Sequence, residues 1–287
     1  MLDKHLLWDC AYVAGPLAVL SSTILSLLSS AIWSRNVGET SCAWRTSYSP
    51  DGRAFAIWGA IYIGTVTVAI AQLTGNVPVF DWGVSLLWSL SWTCCSLWVP
   101  LFDAESPGAL LAAMVAILLG AACATGASWF SEMWRLDSAT GASSGVSSDQ
   151  RLQHVMLGLP LTILAGWLTA ASAINVGIAW KANNSNASKA CVRIAAKKDG
   201  ESESEYRNRR RVKYREAYAL APIQSSIVPL LLAAGVGLLS FLMRDPVYPV
   251  PLIWAILNLA EFPSCVSVAS LFVCVCGSAG AISIIFA

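Results

Sequence analysis

Three short patterns place side chains able to hold a flat, apolar molecule without bonding to it covalently. Phe55, Trp58 and Tyr62 follow one another at spacings of three and four, so on a helix all three share one face. Ser85, Ser89, Trp92 and Ser96 recur at four, three and four and draw a narrow polar and aromatic stripe along an otherwise apolar segment. Lipid gives such a stripe nothing to bond to, so it is expected to face protein. Trp167, Ala171 and Asn175 are each four apart and share a face. Rings of this kind stack on a planar ligand, a small residue leaves room, and a buried amide supplies one orienting hydrogen bond. Each pattern also has a plain packing reading, in which neighbouring helices cover the rings and Asn175 is interhelical glue worth about 0.6–2 kcal/mol. An Asn at membrane depth needs a partner either way, and these residues alone leave the choice open.

Other chemistry is sparse. The middle of each apolar segment holds no Asp, Glu, Lys, Arg or His, and Asp9, Asp81 and Glu261 sit at edges. Proton relays, ion pathways and voltage sensors need ionisable groups at depth, so a proton pump or ion-coupled carrier is not expected. Without a lysine at depth, a retinal Schiff base is excluded. His5 and His154 are too few for a haem or di-iron site of the usual kind. The nine cysteines, including the adjacent Cys94 and Cys95 and the pair Cys274 and Cys276, follow no metal-ligand spacing and read as small hydrophobes. No Ser-His-Asp or Cys-His arrangement can be built. The expectation is therefore a protein that is not an enzyme, with no catalytic residue, no metal and no nucleic-acid partner.

The elements that must position these residues are membrane helices. Hydrophobic residues make up 56% of the chain and charged residues 12%, with mean hydropathy +0.61, whereas a soluble domain carries about 25% charged residues. Eight apolar runs are candidate spans, at about 6–33, 54–73, 82–101, 108–130, 157–180, 217–243, 247–259 and 264–286. Lipid satisfies no backbone polar group, so runs of this length are expected to be helices. The alternating strands of a barrel are missing. The predicted class is all-α, a polytopic membrane helix bundle. Pro50, Asp51 and Gly52 are turn formers that lead into the second span. The seventh span is short, carries Pro249 and Pro251 near its start, and could be re-entrant. The first span is flanked by Asp3 and Asp9 beside Lys4 and is too long for a typical signal peptide. Of thirteen tryptophans, Trp8, Trp33, Trp82, Trp98, Trp129 and Trp180 mark span ends as an interfacial belt, while Trp58, Trp88, Trp92, Trp167 and Trp254 lie deeper.

The runs group into 1–180, a five-helix core; 181–216, a basic polar linker; and 217–287, about three C-terminal helices. Crossing by crossing, the loops at 34–53 and 181–216 share one side, and they hold most of the Lys and Arg. The positive-inside rule puts both on the cytosolic or equivalent side of a membrane whose identity the sequence does not give. The basic run 207–215 reads either as a solvated loop or as a grip on anionic headgroups. The N-x-S sequons at Asn183 and Asn186 then face away from glycosylation machinery and read as chance matches. The polar loop 131–156, with the flexible Gly141–Ser148 stretch inside it, is expected to cap one end of the bundle or to be mobile.

The run from Pro50 to Gly64, PDGRAFAIWGAIYIG, resembles the second-helix signature of the tryptophan-rich sensory proteins, relatives of the TspO/MBR family that includes the mitochondrial translocator protein. The run Leu159–Val176, with Trp167, Ala171 and Asn175, is similar to that family's fifth helix. Arg244–Tyr248 with Ile253-Trp254-Ala255 resembles the longer branch, which adds spans after the five-helix core. The resemblance implies a tight five-helix bundle with a pocket for apolar planar molecules, porphyrins among them, closing under the loop between the first two helices. Carried over, the pocket residues are Phe55, Trp58, Tyr62, Ser89, Trp92, Trp167, Ala171 and Asn175. It implies no bound cofactor other than a porphyrin-like ligand, and a role as sensor or carrier; the alternative is a structural or assembly subunit. Membrane lipids, a tetrapyrrole-like ligand, and a homo-oligomer or membrane complex are the partners that fit. Three departures stand out: Ser89 occupies the place of a frequent Asn, Trp180 comes five rather than four residues after Asn175, and no cholesterol-recognition pattern follows the fifth helix.

Overall fold

A computed structural model of the chain describes residues 4–43, 52–104, 106–141, 148–184, 200–202, 205–206, 235, 238 and 247–258. Its elements are α1 (Lys4–Ala43), a 3₁₀ turn (Gly52–Ala56), α2 (Ile57–Leu73), α3 (Trp82–Asp103), α4 (Pro107–Gly141), α5 (Ser148–Asn184) and α6 (Val250–Leu257). Five segments are long and apolar enough to cross a membrane: Val13–Trp33, Arg53–Leu73 (the 3₁₀ turn running into α2), Trp82–Asp103, Pro107–Ser131 and Leu157–Trp180. α1 packs on α3, α3 on α4, α4 on α5, α5 on α2 and α2 on α1, so the five helices close into a ring.

Within this ring the usual soluble pattern is inverted. Along α3, Ser85, Ser89, Ser91 and Ser96 are buried while Leu86, Leu90 and Leu97 face outward. Lipid tails are as apolar as leucine, so helices associate through close packing and polar contacts instead. The serine stripe therefore faces protein, as expected. It forms a seam with α1, where Ser29 Oγ donates to the Ser96 carbonyl at 2.7 Å. A Cβ at Gly15 would lie 2.9 Å from Ser85 Oγ, so glycine is what allows that approach. At the α2–α5 contact a Cβ at Gly64 would sit 2.8 Å from Pro160 Cγ. Pro160 lies inside α5, and its ring fills the room that Gly64 leaves.

Helix ends differ from the sequence expectation. α1 continues to Ala43, into the stretch read as a loop from 34. α4 continues to Gly141 and α5 starts at Ser148, so much of the expected loop 131–156 is helical. Hydropathy marks where a helix leaves the membrane, not where it stops, and none of the three extensions contains a proline that would end it.

The seventh expected span is corrected to α6, whose eight residues reach about 12 Å, well short of a hydrocarbon core of about 30 Å. Pro249 and Pro251 stand at its start, where a missing N–H costs least. Within the linker, the Ser202 and Glu205 side chains form a reciprocal cap: Ser202 Oγ and backbone N–H both bond to Glu205 Oε2, at 2.7 and 3.0 Å. The expected spans at 217–243 and 264–286, and the basic run 207–215, lie outside the described residues.

Candidate functional site

The 3₁₀ turn and α2 deliver Phe55, Trp58 and Tyr62 to the inside of the ring, as their spacing predicts. Tyr62 stacks on Trp92 of α3, with ring centroids 4.8 Å apart and planes inclined by 27°. Trp58 lies between the other two helices, 6.2 Å from Trp92 and 6.2 Å from Trp167 of α5. Phe55 meets Trp167 edge to face at 6.0 Å. Five of the eight predicted site residues thus form one aromatic tier drawn from three helices. The Tyr62 hydroxyl is anchored to Ser26 Oγ of α1 at 2.9 Å, which fixes the ring that Trp92 stacks on.

The other three predicted residues are arranged differently. Asn175 lies eight residues beyond Trp167 on α5, about 12 Å along the axis. Its Oδ1 accepts from Trp98 Nε1 at 2.8 Å, and its Nδ2 donates to the Ala171 carbonyl at 2.8 Å. The partner that a buried Asn requires is a neighbouring helix, and Ala171 takes part through its backbone. Trp98 also packs on Phe102 at 5.0 Å. These residues make a second, polar tier at the edge of the smaller apolar cluster built on Phe102, Leu110, Ala113, Ile178 and Ala182. Ser89 belongs to neither tier in its bonding: its hydroxyl donates to the Ser85 carbonyl one turn back, at 2.8 Å.

Two polar atoms in the aromatic tier have no partner. Trp92 is 0% exposed and Trp167 2%, and neither indole N–H finds an acceptor among the described residues. An unpaired buried donor costs about 1–3 kcal/mol, and native proteins keep few of them. Both rings contact Trp58. The tier therefore holds two buried indole donors among its rings, which another molecule reaches only where the rings part, and Trp88 Nε1, outside the tier, is unpartnered among the described residues as well. Among the described residues no group of His, Cys, Asp or Glu could hold a metal ion.

Three side chains that matter here are not among the eight predicted site residues. Trp98 was assigned to the interfacial belt, yet its N–H turns inward to Asn175. The signal was the unmet need of Asn175, and Trp98 is a donor near the end of the adjoining helix. Ser26 gave no signal among the many serines of α1. Tyr248 is fully buried, with its hydroxyl 2.9 Å from Thr169 Oγ1 of α5 and 3.1 Å from Thr125 Oγ1 of α4. Trp88, expected to be deep, is fully buried against Phe80. Trp254, also expected to be deep, is instead 39% exposed, and it donates from Nε1 to the Ala54 carbonyl at 3.0 Å.

No curated protein and no solved structure matches the chain. A family profile described as TSPO-like protein matches residues 13–193. That range takes in all five crossing helices and both tiers, and it ends before α6. With more than half of its 287 residues inside the match and a ring of five membrane helices beneath it, the chain belongs to the TSPO-like protein family.

Proposed function

We propose that this integral membrane protein binds a planar, hydrophobic, tetrapyrrole-like ligand in the aromatic tier and acts as a sensor or carrier, without catalysing a reaction. The observation that carries the reading is the pair of unpartnered indole N–H groups on Trp92 and Trp167, on rings that flank Trp58. A flat ligand with hydrogen-bond acceptors on its edge or in its ring would satisfy both donors and stack on the same side chains. Phe55 and Tyr62 complete the aromatic walls. Ala171, Asn175 and Ser89 set the shape of the helices around them. The segments 34–53 and 181–216, which begin as the ends of α1 and α5, face the cytosol or its equivalent, where their Lys and Arg belong.

The alternative, a structural or assembly subunit, is favoured by one observation: Trp58 already packs on two other tryptophans, and Asn175 already has Trp98. A titration of detergent-solubilised protein with protoporphyrin IX, followed by tryptophan fluorescence, separates the two. The ligand reading expects saturable quenching that Trp58→Ala loses while keeping its helix content. Quenching that does not saturate, or that is equal in both proteins, means partitioning into the micelle and supports the structural reading.

A further inference from the structure

The segment 247–258 grips the residues that flank one ring pair of the aromatic tier. Trp254 Nε1 donates at 3.0 Å to the carbonyl of Ala54, the residue before Phe55. The Tyr248 hydroxyl lies 2.9 Å from Thr169 Oγ1, two residues past Trp167. A Cβ on Gly166, the residue before Trp167, would collide with the Tyr248 carbonyl oxygen and stand 3.2 Å from Pro251 Cδ and Cγ. Glycine at 166 therefore lets the segment lie directly on α5. Gly166 and Ala170 are both buried, so this surface is used within the chain. Phe55 and Trp167, held from either side, meet each other at 6.0 Å.

We infer that α6 with Tyr248 is a strap that holds the Gly52–Ala56 turn against α5 and closes the Phe55–Trp167 side of the ligand site. Trp254 and Tyr248 are its positioning residues. The inference rests on the proposed ligand site and adds to it a route, between the 3₁₀ turn and α5. The hydrogen bond from the strap to the turn comes from an exposed indole, while Tyr248 is fully buried among α4 and α5. The inferred release is therefore at the Trp254 end, the more exposed of the two. If the strap is shut both before and after binding, it raises the barrier to association and to dissociation alike and leaves affinity nearly unchanged.

The test uses the full chain in detergent and compares wild type with Trp254→Phe, which keeps an aromatic ring and removes the N–H. Hydrogen exchange over residues 52–58 is expected to rise about fivefold, which is about 1 kcal/mol at 1.4 kcal/mol per tenfold. Stopped-flow quenching by protoporphyrin IX is expected to show association and dissociation rates rising together severalfold, with Kd within about twofold. Equal exchange in the two proteins overturns the strap. So does weakened affinity with an unchanged association rate, which would make Trp254 part of a wall and not a closure. Should Trp254→Phe fail to fold, Tyr248→Phe loosens the segment from the α5 side and is read in the same way. If wild type shows no saturable quenching, the proposed function fails. The exchange comparison then decides the strap by itself, equal protection at 52–58 overturning it.

Discussion

Trp92 and Trp98 sit six residues apart on α3, and each carries one indole N–H into the protein. That of Trp98 meets Asn175 at 2.8 Å; that of Trp92 meets nothing among the described residues. Eight residues apart on α5, Asn175 and Trp167 repeat the contrast, one bonded and one not. Both pairs are contributed by the same two helices, but at levels about 12 Å apart and with different neighbours, the rings of α2 at one and Phe102 at the other. The polar tier is built as helix–helix glue, with each partner supplied from within. The aromatic tier keeps two buried donors unpaired among its rings. A buried group left unpaired is a standing cost unless something else completes it, and this is why the ligand reading attaches to the aromatic tier and not to Asn175.

The largest effect is expected from emptying the aromatic tier. Trp167→Ala removes the contacts with Phe55 and Trp58 and should destabilise the protein by about 3–5 kcal/mol, seen as a marked fall in the thermal unfolding midpoint in detergent, with loss of porphyrin quenching. An unchanged midpoint would mean that the ring is not packed as described. Gly166→Val comes next. Its side chain meets the backbone of Tyr248 and the ring of Pro251, neither of which yields easily, and overpacking of this kind costs about 1–3 kcal/mol. Limited proteolysis should then cut near residues 247–258 more readily than in wild type.

In the polar tier, a double-mutant cycle between Asn175→Ala and Trp98→Phe should give a coupling of about 0.6–1.7 kcal/mol, with porphyrin affinity little changed. A lost affinity in the Asn175 variant would merge the two tiers into one site and break the contrast. The smallest effect belongs to Ser89→Ala. Its hydroxyl bonds only back to Ser85 one turn earlier, an arrangement that adds little to helix stability. Stability and affinity should each change by less than about 0.5 kcal/mol, and a larger loss of affinity would restore Ser89 as a ligand contact.

Much of the site could be read from spacing. Phe55, Trp58 and Tyr62 converge because a helix must put them on one face, and the serine stripe of α3 is buried because lipid offers it no partner. The five crossing helices follow from apolar length. What spacing does not carry is the choice of partner across helices. Whether Asn175 bonds Trp98 or meets the Trp58 tier depends on the rotation and axial shift of α3 and α5, each seated on a neighbour through a close approach, Gly64 of α2 on Pro160 of α5 and Gly120 of α4 on Cys94 of α3. Trp98 looked interfacial because it lies near a span end, where an aromatic residue is equally at home facing lipid or protein. α6 looked like a weak span because hydropathy cannot tell a short buried helix from a crossing one. Helix ends beyond the membrane were missed for the same reason: hydropathy follows the solvent, while the helix persists until its hydrogen bonds are interrupted.

The most direct test of the central claim replaces one atom group in one ring. Substituting Trp92 with 3-benzothienylalanine exchanges the indole N–H for sulfur while keeping ring size and stacking, and the protoporphyrin IX Kd is then measured beside the unfolding midpoint. The account predicts a midpoint equal to or above that of wild type, since no partner is lost, together with an affinity weakened about tenfold, or about 1.4 kcal/mol for one hydrogen bond to the ligand. A lowered midpoint with unchanged affinity would contradict it, because the N–H would then have a partner inside the protein and no role towards a ligand.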